Sequence, residues 1–248
     1  MMADNGGDLM GTGRGCGPER RHIHVLLAEV LDKLHPQDGE AYIDGTFGAG
    51  GYTSAILDAA SCHVLALDRD PQAIANGAAL REQYAPRLDL KMMPFGNLQD
   101  AVADLSEPSV DGIVLDIGVS SMQLDQADRG FSFANDGPLD MRMFAAGGEQ
   151  SEASPSAADL VNELEQSNLA DIIYHYGEER RSRAIAAAIV RARAQAPLER
   201  TLQLADICTR VYGRRTTDKV HPATRTFQAL RIAVNDALGE LVRAFAAA

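Results

Sequence analysis

The stretch Ala41-Tyr42-Ile43-Asp44-Gly45-Thr46-Phe47-Gly48-Ala49-Gly50-Gly51 decides the fold. Its first four residues read as a short buried strand, and the rest as a glycine-rich loop leading into a helix expected over Tyr52 to Ala60. Glycines let a backbone turn sharply and approach a ligand with no Cβ in the way. The start of the following helix then offers free N–H groups. The dinucleotide fingerprint asks for a third glycine, but after Gly48 and Gly50 that position is Thr53. An acidic Asp44 just before the loop suits a cationic ligand better than a pyrophosphate. A plain strand-to-helix turn is the competing reading.

Downstream, His63 to Leu67 reads as a second strand closed by Asp68-Arg69-Asp70-Pro71, with a helix from Pro71 to Tyr84. Leu88 to Met92 and Gly112 to Ile117 follow as third and fourth strands, and an apolar periodicity predicts a helix over Val25 to Leu34 upstream. Strands alternating with helices imply a Rossmann-like α/β fold, a parallel sheet covered on both faces. Ligands of such sheets bind at the carboxyl ends of the strands, near the switch point. Gly48 to Gly51, Asp68 and Asp116 should meet there. A carboxylate at Asp68 accepts bonds from ribose hydroxyls; a helix cap is the alternative.

From Arg129 the pattern changes. Helices are predicted at Ala157 to Leu164, Leu169 to Tyr176, Arg180 to Ala194 and Thr201 to Tyr212, with no good strand between them. Residues 129–221 are therefore expected to be an inserted all-helical module, with residues 22–128 and 222–248 forming the sheet domain and residues 1–21 a disordered tail. One last helix, Thr224 to Ala247, carries an apolar stripe at Phe227, Leu230, Val234, Leu238, Leu241 and Phe245 and should return to the sheet. Four parallel strands would leave the fourth as a bare edge, so the sheet is expected to be incomplete and the chain truncated.

Bulk properties set the outer limits. Of 248 residues, 46% are hydrophobic and 23% charged, the balance of a globular protein. No apolar run of ~18 residues is present to span a membrane, and the Gly-rich start lacks a signal-peptide core. Cys16, Cys62 and Cys208 are scattered without metal spacing, which suits a reducing cytoplasm and no metal site. The net charge of −12 argues against nucleic acid, but basic residues crowd Arg180 to Arg231. Solvated helix faces are the bland reading of that crowding.

Leu115-Asp116-Ile117-Gly118-Val119-Ser120-Ser121 follows the fourth strand. The carboxylate of Asp116 and the hydroxyls of Ser120 and Ser121, on a tight turn, are acceptors able to orient an amine for in-line attack. Asp116 can also stabilise developing positive charge or take a proton. A capping Asp at a strand end is the competing reading.

Several longer strings carry a specific resemblance. They are His24 to Val30, Tyr42 to Gly51, Asp68 to Pro71, Leu115 to Ser121, Arg129 to Phe133, Gly137 to Met143, Tyr176 to Arg180 and His221 to Ile232. In this order they resemble the bacterial 16S rRNA cytosine-N4 methyltransferase family, from His22 to about Arg243. The resemblance implies a class I methyltransferase sheet with S-adenosyl-L-methionine as cofactor and a cytosine in the small ribosomal subunit as substrate, in the cytoplasm. It places cofactor contacts on Gly50, Gly51, Tyr52, Asp68, Phe95, Asp116 and Gln123, beside the Asp44 and Gly48 of the loop. Tyr52 departs from the histidine common in the family. The family also continues past the last helix with a further strand and a Ser-Phe-His-Ser-Leu-Glu-Asp-Arg type segment that this sequence does not contain.

With the family in view, Arg142, Arg214, Arg215, Lys219, His221 and Arg225 become candidates for phosphate contacts. Phe131 and Phe133 become candidates for stacking on an extruded base, with loop packing as the alternative. Methylation of the N4 amine is the leading expectation. A non-catalytic RNA- or ribosome-binding remnant is the second, and a nicotinamide-dependent oxidoreductase the third.

Overall fold

A computed structural model describes residues 26–103, 109–144, 154–213 and 220–248. Among them four strands form one sheet: β1 (Ala41–Asp44), β2 (His63–Asp68), β3 (Leu88–Met92) and β4 (Gly112–Val114). Their order is β3-β2-β1-β4 and every pairing is parallel. The chain runs outward from β1 to β3, then returns to the other side of β1, so the switch point lies between β1 and β4.

Side chains alternate across the sheet, as the two-residue period requires. Tyr42, Val64, Ala66 and Leu88 bury on one face with Phe47, Ile56 and Leu57, and Leu27 and Leu31 of α1 (Leu27–Leu34) pack against this cluster. Ile43, Leu65 and Leu67 bury on the other, against Phe95, Leu98 and Ala244. Each fully buried aliphatic side chain contributes about 1.5–3 kcal/mol, which fixes the register against a one-residue slip.

β4 and the helix after β2 differ from expectation. β4 ends at Val114 instead of Ile117. Its ladder partner β1 ends at Asp44, and beyond it the main chain bonds to the loop: Gly45 N–H donates to the Val114 oxygen, and Asp116 N–H donates to Thr46 Oγ1 at 2.7 Å. The helix expected over Pro71 to Tyr84 is divided at Gly77 into α3 (Pro71–Asn76) and α4 (Ala78–Gln83). A Cβ at Gly77 would come within 2.6–2.8 Å of Leu90 and the Phe47 ring, so a glycine is needed where the helices cross the sheet so closely.

Beyond the sheet lie α2 (Gly51–Ala59), α5 (Leu98–Ala103) and α6 (Ser121–Asp125). A helical body follows, built from α7 (Ala157–Glu163), α8 (Gln166–Gly177), α9 (Ser182–Arg193), α10 (Thr201–Tyr212) and α11 (Thr224–Val234). Its core holds Val161, Leu169, Ile173, Ile185, Ile189, Leu204 and Leu230.

The expected single helix from Thr224 to Ala247 is two. α11 stops at Val234, Asn235 and Asp236 (φ 46°) break it, and α12 (Ala237–Ala247) continues in a new direction. Phe227, Leu230 and Val234 bury among the helices, so α11 packs with the helical body and not with the sheet. Only α12 reaches the sheet, placing Leu241 and Ala244 against the cluster of Phe95 and Leu98. The stripe on this last turn is incompletely covered: Leu238 and Phe245 are 48% and 72% exposed. The expected tail of residues 1–21 lies outside the described residues.

Candidate active site

A cleft of about 340 Å³ opens at the carboxyl ends of the strands. β1 delivers the loop Gly45 to Ala49, β2 delivers Asp68, Arg69 and Asp70, and the segment after β4 delivers Asp116 to Ser120. Phe95, Tyr52 and Gln123 line it as well. Residues far apart in sequence meet here because parallel strands end on one side of the sheet.

The loop owes its shape to positive φ at Gly48 (53°) and Gly50 (79°). A Cβ on Gly50 would also lie 2.7 Å from Leu80 and 2.9 Å from the Phe47 ring. Gly51 opens α2, whose N-cap Gly50 supplies no side-chain cap; the buried Asp44 carboxylate instead takes the Thr53 N–H of its first turn. Of the loop glycines, Gly45 and Gly48 line the cleft, whereas Gly50 and Gly51 lie behind it.

Asp68 holds this loop. Its Oδ2 accepts the Gly48 N–H at 2.7 Å and its Oδ1 accepts the Asp70 N–H at 2.8 Å. Burial lifts its carboxyl above the usual carboxylate range, and the bonds from Asp70 and Gly48 oppose that rise. Each oxygen keeps a second lone pair for a further donor.

Asp70 was read from the sequence only as part of a turn. It caps α3 by accepting the Gln72 N–H at 3.0 Å, and it also accepts from Gln123 Nε2 at 2.9 Å and pairs with Arg129 at 3.1 Å. Gln123 in turn accepts the Ser120 N–H, and Ser120 Oγ accepts the Gln123 N–H, each at 3.2 Å, in a capping box. Gln123 thus lines the cleft with its amide already held at both ends. Asp116 is exposed in the cleft, its backbone fixed by Thr46. Ser121 begins α6, and its side chain lies outside the described atoms.

Asp44 is not brought to the cleft. It is fully buried, accepting from Thr53 Oγ1 at 2.7 Å and from the Thr46 N–H at 3.1 Å. Burial raises its pKa to about 6, the bonds from Thr53 and Thr46 resisting. Its carboxylate supports the loop: Asp44 holds Thr46, and Thr46 holds Asp116.

The residues expected to meet RNA do not gather at this cleft. Phe131 is 6% exposed inside the helical core, which removes it from base stacking. The half-buried Phe133 ring packs 4.6 Å from His221 and 4.8 Å from Phe227. Arg142 forms a fork with Asp140, Nε to Oδ1 at 2.8 Å and the terminal nitrogen to Oδ2 at 2.7 Å. His221 and Arg225 border a second, wider cavity of about 850 Å³ with Arg180, Arg181, Tyr174 and Tyr212. Arg214, Arg215 and Lys219 lie outside the described residues. Arg69, Arg129, Met143 and Arg231 line the first cleft without having been singled out from the sequence. For Arg129 the sequence signal is its place in the Arg129 to Phe133 string, and for Arg231 its place in the basic stretch and in the His221 to Ile232 string.

The cleft combines an aromatic side (Phe47, Tyr52, Phe95), carboxylates at Asp68 and Asp116 and a glycine turn. Such a set belongs to a doubly wound α/β protein whose cleft lies where folds of this kind take their ligands. The chain belongs to the MraW methylase family, whose model matches residues 19–248. It is 60% identical over 227 residues to a protein from Parvibaculum lavamentivorans named ribosomal RNA small subunit methyltransferase H, covering 92% of this chain and 65% of that one. Proteins of the same name from Azorhizobium caulinodans and Brucella anthropi are 57% and 52% identical, covering 96% and 100% of this chain and 68% and 69% of theirs. The chain therefore spans about two thirds of the length of the relatives it matches.

Proposed function

We propose that this chain carries the cofactor- and base-binding part of an S-adenosyl-L-methionine-dependent methyltransferase that acts on the N4 amine of a cytosine in 16S ribosomal RNA. The observation that carries the reading is the meeting of Asp68, Phe95, the glycine loop and Asp116 in one cleft, in a chain 52–60% identical to proteins named for that class of reaction.

When bound, S-adenosylmethionine supplies a methyl group on a positively charged sulfur. Asp68 would accept the ribose hydroxyls, Phe95 would pack on the adenine, and the glycine loop would receive the tail. The amine of cytosine is a weak nucleophile, because its lone pair is delocalised into the ring. Asp116 would orient it by accepting an N–H, and would take that proton as the methyl passes to the nitrogen from its sulfur, which becomes a neutral thioether. Ser120 lines the same cleft, its oxygen capping α6. Among the described residues no helix is long and apolar enough to cross a membrane, and the site of action is the cytoplasm, where small subunits are assembled.

Calorimetric titration with S-adenosylmethionine, then transfer of labelled methyl to small-subunit RNA with nucleoside analysis, tests the reading. Labelled N4-methylcytidine is the expected product. Binding of a nicotinamide dinucleotide without S-adenosylmethionine would sink it.

A further inference from the structure

Three arginines line the cleft, and they differ in what neutralises them. Arg129 is paired with Asp70 at 3.1 Å. Arg69 donates to the Asn235 carbonyl at 2.8 Å and lies in the field of Glu240, Asp68 and Asp236. Arg231 has no such company. Its guanidinium makes no ion pair or hydrogen bond among the described residues, and burial, with no neighbouring charge to offset it, weakens its hold on its proton. A cation withdrawn from water without a partner is costly. Such a group facing a cleft is a mark of a site completed by its ligand.

Arg231 enters from α11, on the helical body, whereas Asp68 and Asp116 enter from the strand ends. The tail of the cofactor belongs, on the methyltransferase reading, with the glycine loop on the sheet side of the cleft, away from α11. An anion is then still wanted at Arg231, and a nucleotide substrate brings one. We propose that Arg231 binds the backbone phosphate of the target nucleotide, so that the cleft takes a cytosine together with its phosphate and not the base alone. This rests on the methyltransferase reading above.

The test compares cytidine with its 5′- and 3′-monophosphates, titrated into the protein saturated with S-adenosylmethionine. One of the monophosphates should bind roughly tenfold tighter than the nucleoside, as a charge-assisted hydrogen bond warrants. Arg231→Met should bring that ratio close to one and leave the affinity for S-adenosylmethionine unchanged. Arg231→Lys, which keeps the charge but not the fork, should recover part of it. An unaltered ratio in Arg231→Met, with its melting temperature intact, would show a side chain that merely packs. Weaker S-adenosylmethionine binding with the ratio preserved would assign Arg231 to the cofactor carboxylate instead. No preference for either monophosphate in the unmodified protein also overturns the proposal, whereas failure of that protein to bind S-adenosylmethionine brings down the methyltransferase reading beneath it.

Discussion

Arg69 donates to the main-chain oxygen of Asn235 at 2.8 Å, tying the end of β2 to the break between α11 and α12 across 166 residues of sequence. The Asn235 side chain completes the tie. It accepts the Met143 N–H at 2.9 Å and donates to the Met141 oxygen at 2.8 Å and the Arg231 oxygen at 2.9 Å. Met141 itself holds a left-handed backbone (φ 64°) that a long side chain seldom adopts.

Asn235→Ala should therefore strand buried polar groups and release that strain. A loss of about 2–3 kcal/mol is expected from urea denaturation. A loss below about 0.5 kcal/mol, the range of an ordinary surface change, would mean that the junction is held by packing alone.

Asp68→Ala removes both the ribose acceptor and the anchor of Gly48. The dissociation constant for S-adenosylmethionine should rise at least about tenfold, one charged hydrogen bond's worth. Asp68→Asn keeps one acceptor oxygen and should fall between the two. Equal affinity in all three proteins would remove Asp68 from the cofactor site.

On the proposed reading Asp116 acts mainly on the amine, whatever contact it also makes with the cofactor. Asp116→Ala should lower methyl transfer by about 100-fold or more, as loss of a proton acceptor does, with little change in S-adenosylmethionine affinity. Unchanged transfer would leave Asp116 no part in the reaction.

Asp44 makes stability depend on pH. Its folded pKa, about 6, lies above its ordinary value of 3.8, so folding favours the protonated carboxyl. Its contribution is fully present below about pH 3.8 and is lost as pH rises through about 6. The loss is on the order of 3 kcal/mol, at 1.36 kcal/mol per pKa unit. Stability of the unmodified protein minus that of Asp44→Asn should thus fall between pH 4 and 6.5. A flat or rising difference would mean that Asp44 stays ionised in the folded chain.

The sequence was most legible where local rules act alone. β1, β2 and β3 stand where short apolar runs end in turn residues, β2 running one residue further to Asp68. The meeting of Asp68 with Asp116 needed only the rule that parallel strands end on one side. β4 was drawn too long because Leu115 and Ile117 prolong the apolar run after its partner strand has ended. The break at Asn235 was hidden because no glycine or proline marks it and the apolar stripe runs straight through; only packing against two bodies divides it. Asp44 misled for a related reason. A carboxylate beside a glycine loop reads as facing the ligand, but Thr53 on the next helix turns it inward. Arg69 and Arg231 are opaque in the sequence because their roles depend on which groups fold against them. Glu240, Asp236 and the Asn235 carbonyl reach Arg69 from far along the chain, and among the described residues no charge reaches Arg231.

The break at Asn235 also has a mechanical meaning. One side of the cleft is carried by the sheet and another, with Met143 and Arg231, by segments anchored to the helices. A molecule seated between them presses on both, and its affinity for the pair adds to whatever holds them together. The substrate is then a rivet as well as a reactant: the mouth of the site stays at working width by gripping what it is about to change.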